Sequence, residues 1–230
     1  MSQSKQTEVS RRKALAVGAG TAGAVLAGSI AGGAETRKNR PLKGKRVLVA
    51  IGEFSEGLET YYIVFRLMEE GVEPVVVASQ VKRVQMVVHD FDPKYTNYIE
   101  MPGYMIKSQI AYKDVKPADY DGLIIPGGRG PEEMRQRQDA LDVVCYFMDH
   151  DLPLGAMCHG QAVLYTARSV KNRRMTAFAG IKADIIAAGA KWVDEPVVVD
   201  RAMVTSDGWP VLPKFLPAFL GVLAKSGKKK

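Results

Sequence analysis

The chain has 230 residues, 47% of them hydrophobic, and a formal charge of +7, which is enough apolar material for one sizeable core. The basicity belongs to the ends: Val47 to Ala224 holds 18 Lys/Arg against 23 Asp/Glu, so no basic face for nucleic acid is implied. There are two cysteines; Cys145 falls on helical spacing with Leu141, Val144 and Met148 in "LDVVCYFM", a core pattern that leaves Cys158 as a free thiol and suggests no disulfide framework.

In chain order, Ser10-Arg11-Arg12 precedes 21 uncharged, Gly/Ala-rich residues from Ala14 to Ala34. Twin arginines before a mildly apolar stretch read as a twin-arginine export signal over residues 1–34, placing the protein in the periplasm or outside the cell. The competing reading is a membrane anchor, which 21 residues are long enough to form; the dominance of Ala and Gly disfavours it. Contact with a membrane is expected only through this signal. Residues 35–45 read as a solvated basic linker, 46–224 as the domain, and 225–230 as a basic tail.

"KRVLVAIG" predicts a strand buried on both faces. The helix after it carries a stripe of Leu58, Tyr61, Tyr62, Phe65 and Met68, ended by Gly71. "VEPVVVAS", "YDGLIIPGG", "LPLGAM", "RRMTAFAG" and "EPVVVDRAMVTS" supply further strands, with helices predicted at 132–149, 160–169 and 181–189. The last helix takes Leu212 to Leu223, where Pro217 is expected to kink it or delay its start. Alternating strands and helices imply an α/β fold with a mainly parallel sheet covered on both sides, and sites in such sheets form beyond the carboxyl ends of the strands. "GEFSEGLE", "PGGRGPEE" and "CHG" all fall at such ends, so they point to one crevice. The segment Gln80 to Pro102 is too polar for core and reads as an excursion at one edge of the sheet. Its Tyr95, Tyr98 and Tyr104 fit a pocket lining or an interface equally well.

"LPLGAMCHGQAVL" sets Cys158 where a strand hands over to a helix. A nucleophile on so sharp a turn needs small residues two positions away on each side, and Ala156 and Gly160 supply them. Backbone N–H groups at the following helix start favour a thiolate and can hold an oxyanion. His159 is the best candidate partner for the thiol, although adjacent side chains usually diverge. Glu59 fits either a desolvated, protonated acid beside the sulfur or a solvated first-turn acid. Glu132 faces the same choice, with the solvated acid as default. No group of residues has metal-ligand spacing, "PGGRG" lacks a nucleotide fingerprint, and no cofactor is called for.

These pieces together resemble the ThiJ/PfpI superfamily, specifically its PfpI-like branch. The matching stretches run from "RVLVAIGEFSEGLETYYIVFRLMEEGVEPVVVAS" through "DYDGLIIPGGRGPEEMR", "LPLGAMCHGQAVL" and "RRMTAFAGIKADIIAAGAKWVDEPVVVD" to "VTSDGWPVLPKF". The resemblance implies a flavodoxin-like three-layer sandwich with a nucleophile elbow and a reactive Cys158 touched by Glu59. It also implies a Cys158–His159–Glu132 triad, with Glu132 coming from a neighbouring subunit of a homo-oligomer. Gly128 and His159 N–H groups would form the oxyanion site, with Gly127 and Arg129 beside it. The sequence departs from the pattern near the last strand: Asp207 stands where the family has Arg, and Val211 where it has Asp.

Three functions follow as expectations. The first is a PfpI-type cysteine hydrolase of peptide or amide bonds, with a peptide or small-molecule substrate. The second is a glyoxalase or deglycase, in which Cys158 adds to a reactive carbonyl and Glu59 shuttles a proton. The third is a non-enzymatic redox sensor or chaperone built on an oxidisable thiol.

Overall fold

The computed structural model describes residues 42–227. Strand β1 (Arg46–Ala50) leads to α1 (Gly57–Glu69), β2 (Glu73–Ala78), the hairpin of β3 (Arg83–Asp90) and β4 (Ile99–Lys107), and a short β5 (Ile110–Ala111). Then come β6 (Gly122–Ile125), α2 (Gly130–Met134), α3 (Gln138–Asp149), β7 (Leu154–Met157) and α4 (Gln161–Ala167). The chain finishes with β8 (Arg174–Met175), α5 (Lys182–Ala187), β9 (Lys191–Trp192), β10 (Val197–Asp200), β11 (Met203–Ser206) and α6 (Leu212–Lys225). The export signal and most of the linker expected from the sequence lie outside the described residues. No helix among the described residues is long and apolar enough to cross a membrane.

Seven strands form one sheet in the order β10-β11-β7-β6-β1-β2-β5. Every pair is parallel except β10 with β11. Its central strands β1, β6 and β7 are almost wholly Val, Leu, Ile, Ala and Gly, as strands covered on both faces must be. One apolar layer fills the side of α3, α4 and α5, around Phe147, Leu123 and Ile185. The other gathers α1, α6 and part of the hairpin around Ile63, Phe215, Phe219 and Met86. The result is the three-layer α/β architecture predicted from the sequence. Each fully buried Phe or Leu of α6 contributes about 1.5–3 kcal/mol, which anchors that helix although Pro217 lies inside it. The late start is thus not seen, since the helix begins at Leu212 and runs through the proline.

The structure corrects other expectations. On α1 the stripe of Leu58, Tyr61, Tyr62, Phe65 and Met68 is largely outward: Leu58, Phe65 and Met68 are more than half exposed and Tyr61 and Tyr62 pack at the edge of the core, while Thr60, Ile63 and Leu67 are buried. Both sets have helical spacing, and the face made by the β-branched residues Val47, Val49 and Val76 packs against the smaller set. The predicted helix 132–149 is two helices, broken where Arg137 takes an extended backbone and pairs with Asp139. "RRMTAFAG" supplies only the two-residue β8, paired with β9 outside the main sheet. The described end of the linker is not solvated either: Leu42 packs in the core and Lys45 donates to the Ser226 carbonyl at 2.9 Å.

Candidate active site

The chain runs from β1 outward through β2 on one side, and returns to place β6 on the other. The site lies at this reversal, where loops from neighbouring strands diverge and leave a crevice. Ile51–Glu56 leaves β1, Pro126–Arg129 leaves β6, Cys158 follows β7 and Asp207 follows β11.

Cys158 has a φ of 55°, left-handed backbone that a non-glycine residue adopts at a cost of about 1–3 kcal/mol. The neighbours leave little choice of residue. A Cβ on Gly160 would lie 2.6 Å from the Ile125 carbonyl and 2.9 Å from that of Met157, and one on Gly127 would lie 2.4 Å from Cys158 Cβ. The start of α4 is tied down by Gln161, fully buried, whose Nε2 donates to the carbonyls of Ala156, Thr176 and Ser206. Nothing in the local sequence pattern singled out this glutamine, because its three partners come from separate strands or loops.

His159 does reach its neighbour: Nδ1 lies 3.3 Å from Cys158 Sγ. The left-handed turn brings the two adjacent side chains together where ordinary backbone would separate them. Burial lowers the basicity of His159, and nearby His89 lowers it further, so the imidazole is neutral at neutral pH. Burial pushes the Cys158 thiol well above its ordinary value and the Glu59 carboxylate adds to the rise, against the N–H groups of Gly128 and His159, which lower it. The low-pKa thiolate expected from the helix start is thus opposed by burial, and α4 is only seven residues long.

Glu59 is fully buried. Its Oε2 accepts from Gly127 N–H at 2.6 Å, while Oε1 is buried without a hydrogen-bond partner. Burial, then the charge of Glu56, pushes Glu59 up to about 8. Glu59 accordingly holds a proton at neutral pH, and the glycine that donates to it packs against Cys158.

The remaining expected residues take other places. Gly127 spends its N–H on Glu59 and is not available to an oxyanion. Arg129 turns outward, making three hydrogen bonds to Glu100 at 2.8–3.1 Å, with its guanidinium over the Phe54 ring. Glu132 is exposed on α2 and has no hydrogen bond to His159 within the chain. Gly128 and His159 act on the thiol through their backbone N–H groups, which lower its pKa against the effect of burial. Among the described residues no group of His, Cys, Asp and Glu is placed to hold a metal ion.

What the sequence reading missed is the roof. The segment taken as an edge excursion is the β3–β4 hairpin, pinned to the loop after β1 by Phe54 N–H on Gln85 O and Val87 N–H on Ser55 O. It sets His89 and Tyr98 over the crevice. Their rings stack at 4.2 Å, and Tyr98 meets His159 edge-on at 6.1 Å. His89 Nε2 bonds Glu100 at 2.9 Å, the carboxylate that Arg129 clamps. Trp209 Nε1 donates to the His89 carbonyl at 3.0 Å. Of the three tyrosines left open, Tyr98 is in the pocket, whereas Tyr95 and Tyr104 are exposed.

A parallel α/β sheet with a strained cysteine at its switch point defines a class of proteins that bring a sulfur nucleophile to a crevice. Residues 45–221 match the model of the DJ-1/PfpI family, and the chain belongs to that family. It is 41% identical over 184 residues to an uncharacterised protein of Archaeoglobus fulgidus, covering 80% of this chain and 99% of that one. It is 35% identical to the deglycase PfpI of Pyrococcus furiosus, covering 70% of this chain and 89% of the relative. With the DJ-1 homolog D of Arabidopsis thaliana the identity is 32%, and the match spans 48% of that longer protein. Among solved structures, a ThiJ/PfpI domain protein from Brachyspira murdochii superposes with a TM-score of 0.69 at 17% identity, covering 80% of this chain and 99% of that one.

Proposed function

We propose that this protein is a cysteine-dependent glyoxalase or deglycase that acts on reactive carbonyl compounds or their adducts. The observation that carries the reading is Glu59, a buried carboxyl with one oxygen free and a proton affinity matched to neutral pH. Sulfur addition to an aldehyde forms a C–S bond, and the thiol proton ends on the carbonyl oxygen. Moving the hydrogen of that carbon to a neighbouring carbonyl carbon then needs one group that both accepts and returns a proton. A carboxyl with a pKa near the working pH performs both transfers with little penalty. Water releases the resulting thioester as an acid. Relatives named deglycases, from Pyrococcus furiosus and Pyrococcus abyssi, are 35% and 36% identical to this chain, which supports the same choice.

The 3.3 Å approach of His159 to the sulfur favours a second reading, amide or peptide hydrolysis by Cys158 and His159, with Glu132 of another copy completing a triad. Methylglyoxal turnover and peptide cleavage measured side by side decide between them. Under the first reading Cys158→Ser lowers methylglyoxal turnover at least 100-fold, Glu59→Gln does nearly the same, and His159→Ala keeps it within tenfold. Peptide cleavage that disappears in His159→Ala, with no turnover of methylglyoxal by the unmodified protein, would replace it with the second. We further propose that residues 1–34 direct export of the folded protein.

A further inference from the structure

The crevice continues past Cys158 into a cavity of about 490 Å³. Its walls carry five aromatic rings, those of Phe91, Tyr98, Phe178, Trp192 and Trp209. They also carry four carboxyl groups, from Glu56, Asp194, Glu195 and Asp207, and no lysine or arginine among the described residues. Lys182 Nζ lies 5.0 Å from the centroid of Trp192, one of the cavity's own rings, and Lys214 offsets the charge of Asp207; neither lysine lines the cavity.

Three polar atoms of this lining are buried without partners: Asp207 Oδ1, His89 Nδ1 and Trp192 Nε1. His89 is only 5% exposed. Buried polar groups in folded proteins nearly always have partners. These atoms belong to residues of the cavity wall but lie below its accessible surface, so the character of a ligand is read from the lining itself. The charge pattern states the sign. Aromatic faces attract a cation, most strongly when water is excluded, and a partly buried carboxylate favours an opposite charge beside it.

We propose that this cavity is a cation-binding subsite, so that ligands of this protein carry an ammonium or guanidinium group on an apolar stem. The cation would sit among the rings near Asp207 while the reacting end reaches Cys158. That the reacting end is a carbonyl rests on the function proposed above; recognition of the cation does not.

Both tryptophans of the chain line the cavity, so intrinsic fluorescence reports on it directly. The full chain is titrated with benzyltrimethylammonium, benzyl alcohol and phenylacetate, probes of similar shape and different charge. The cation is expected to quench emission with a Kd at least tenfold below those of the other two. Asp207→Asn should narrow that preference at least threefold, and Asp207→Arg should turn it toward phenylacetate. Trp192→Phe should remove a large part of the quenching. Equal affinity for the three probes, or tighter binding of phenylacetate to the unmodified protein, overturns the proposal. Turnover of phenylglyoxals bearing a 4-trimethylammonio or a 4-carboxy group then separates the two ideas. Cation-selective binding without turnover of either keeps the subsite and removes the carbonyl chemistry. Turnover of both without preference does the reverse.

Discussion

The two halves of the crevice are built by different physics. The wall, made by the ends of β1, β6 and β7, is rigid because each residue there is dictated by van der Waals contact: Gly127 and Gly160 admit no side chain, and Cys158 is held in left-handed backbone. The roof, made by the β3–β4 hairpin, is rooted in the core by Val84, Met86 and Ile106, and its outer part is held over the crevice by a few directed contacts. These are the Arg129–Glu100 fork, the Trp209 hydrogen bond and two backbone bridges to the loop after β1. A site assembled this way separates positioning of the nucleophile from selection of what meets it.

That contrast can be broken at several points. The largest effect is expected from Gly160→Val, whose side chain has backbone carbonyls on two sides; global stability in urea should fall by about 3 kcal/mol or more. Next is Glu59→Gln, read through pH. Glu59 has a folded pKa of about 8 against 4.5 for the free group, so between those values the unfolded chain is ionised while the folded one keeps its proton. Stability therefore falls as pH rises through this window and is level above it. Gln cannot ionise, so the variant should lack Glu59's share of that decline, about 2 kcal/mol once relaxation of the buried site is allowed for. Equal slopes in the two proteins would show Glu59 ionised in the fold.

The smallest effect belongs to the roof. Arg129 and Glu100 are both substantially exposed, so Arg129→Ala should cost at most about 1 kcal/mol of global stability. Hydrogen exchange in residues 83–107 should nevertheless rise several-fold while β1, β6 and β7 keep their protection. If Arg129→Ala unfolds the protein as severely as Gly160→Val, wall and roof are one cooperative unit and the distinction fails.

The same division explains what could be read from the sequence. The sheet, its strand ends and the elbow were legible because their demands are local: apolar β-branched runs, and small residues flanking Cys158. The outer face of α1 was misread because Leu58, Phe65 and Met68 repeat with the same period as Ile63 and Leu67, and only the sheet surface decides which set goes inward. The hairpin was recognised as an insertion, but its role depends on Arg129 meeting Glu100 and on Tyr98 reaching His159. Pairings between residues so far apart leave no trace in spacing. The pull on the thiol was misjudged for a related reason, since the start of α4 is visible in the sequence but the burial of Cys158 is a product of the whole fold.

The tie between Lys45 and the Ser226 carbonyl has a practical meaning. The chain enters the described domain just before β1 and leaves it just after α6, and this bond holds the two points side by side. Both lie at the end of the sheet where β1 begins, whereas Cys158 lies where the strands finish. A fusion partner or a solid support joined through either end of the domain therefore attaches at its base and leaves the mouth of the crevice facing outward. A surface loaded with this domain through those two points would leave the crevice that shelters Cys158 open to the solution.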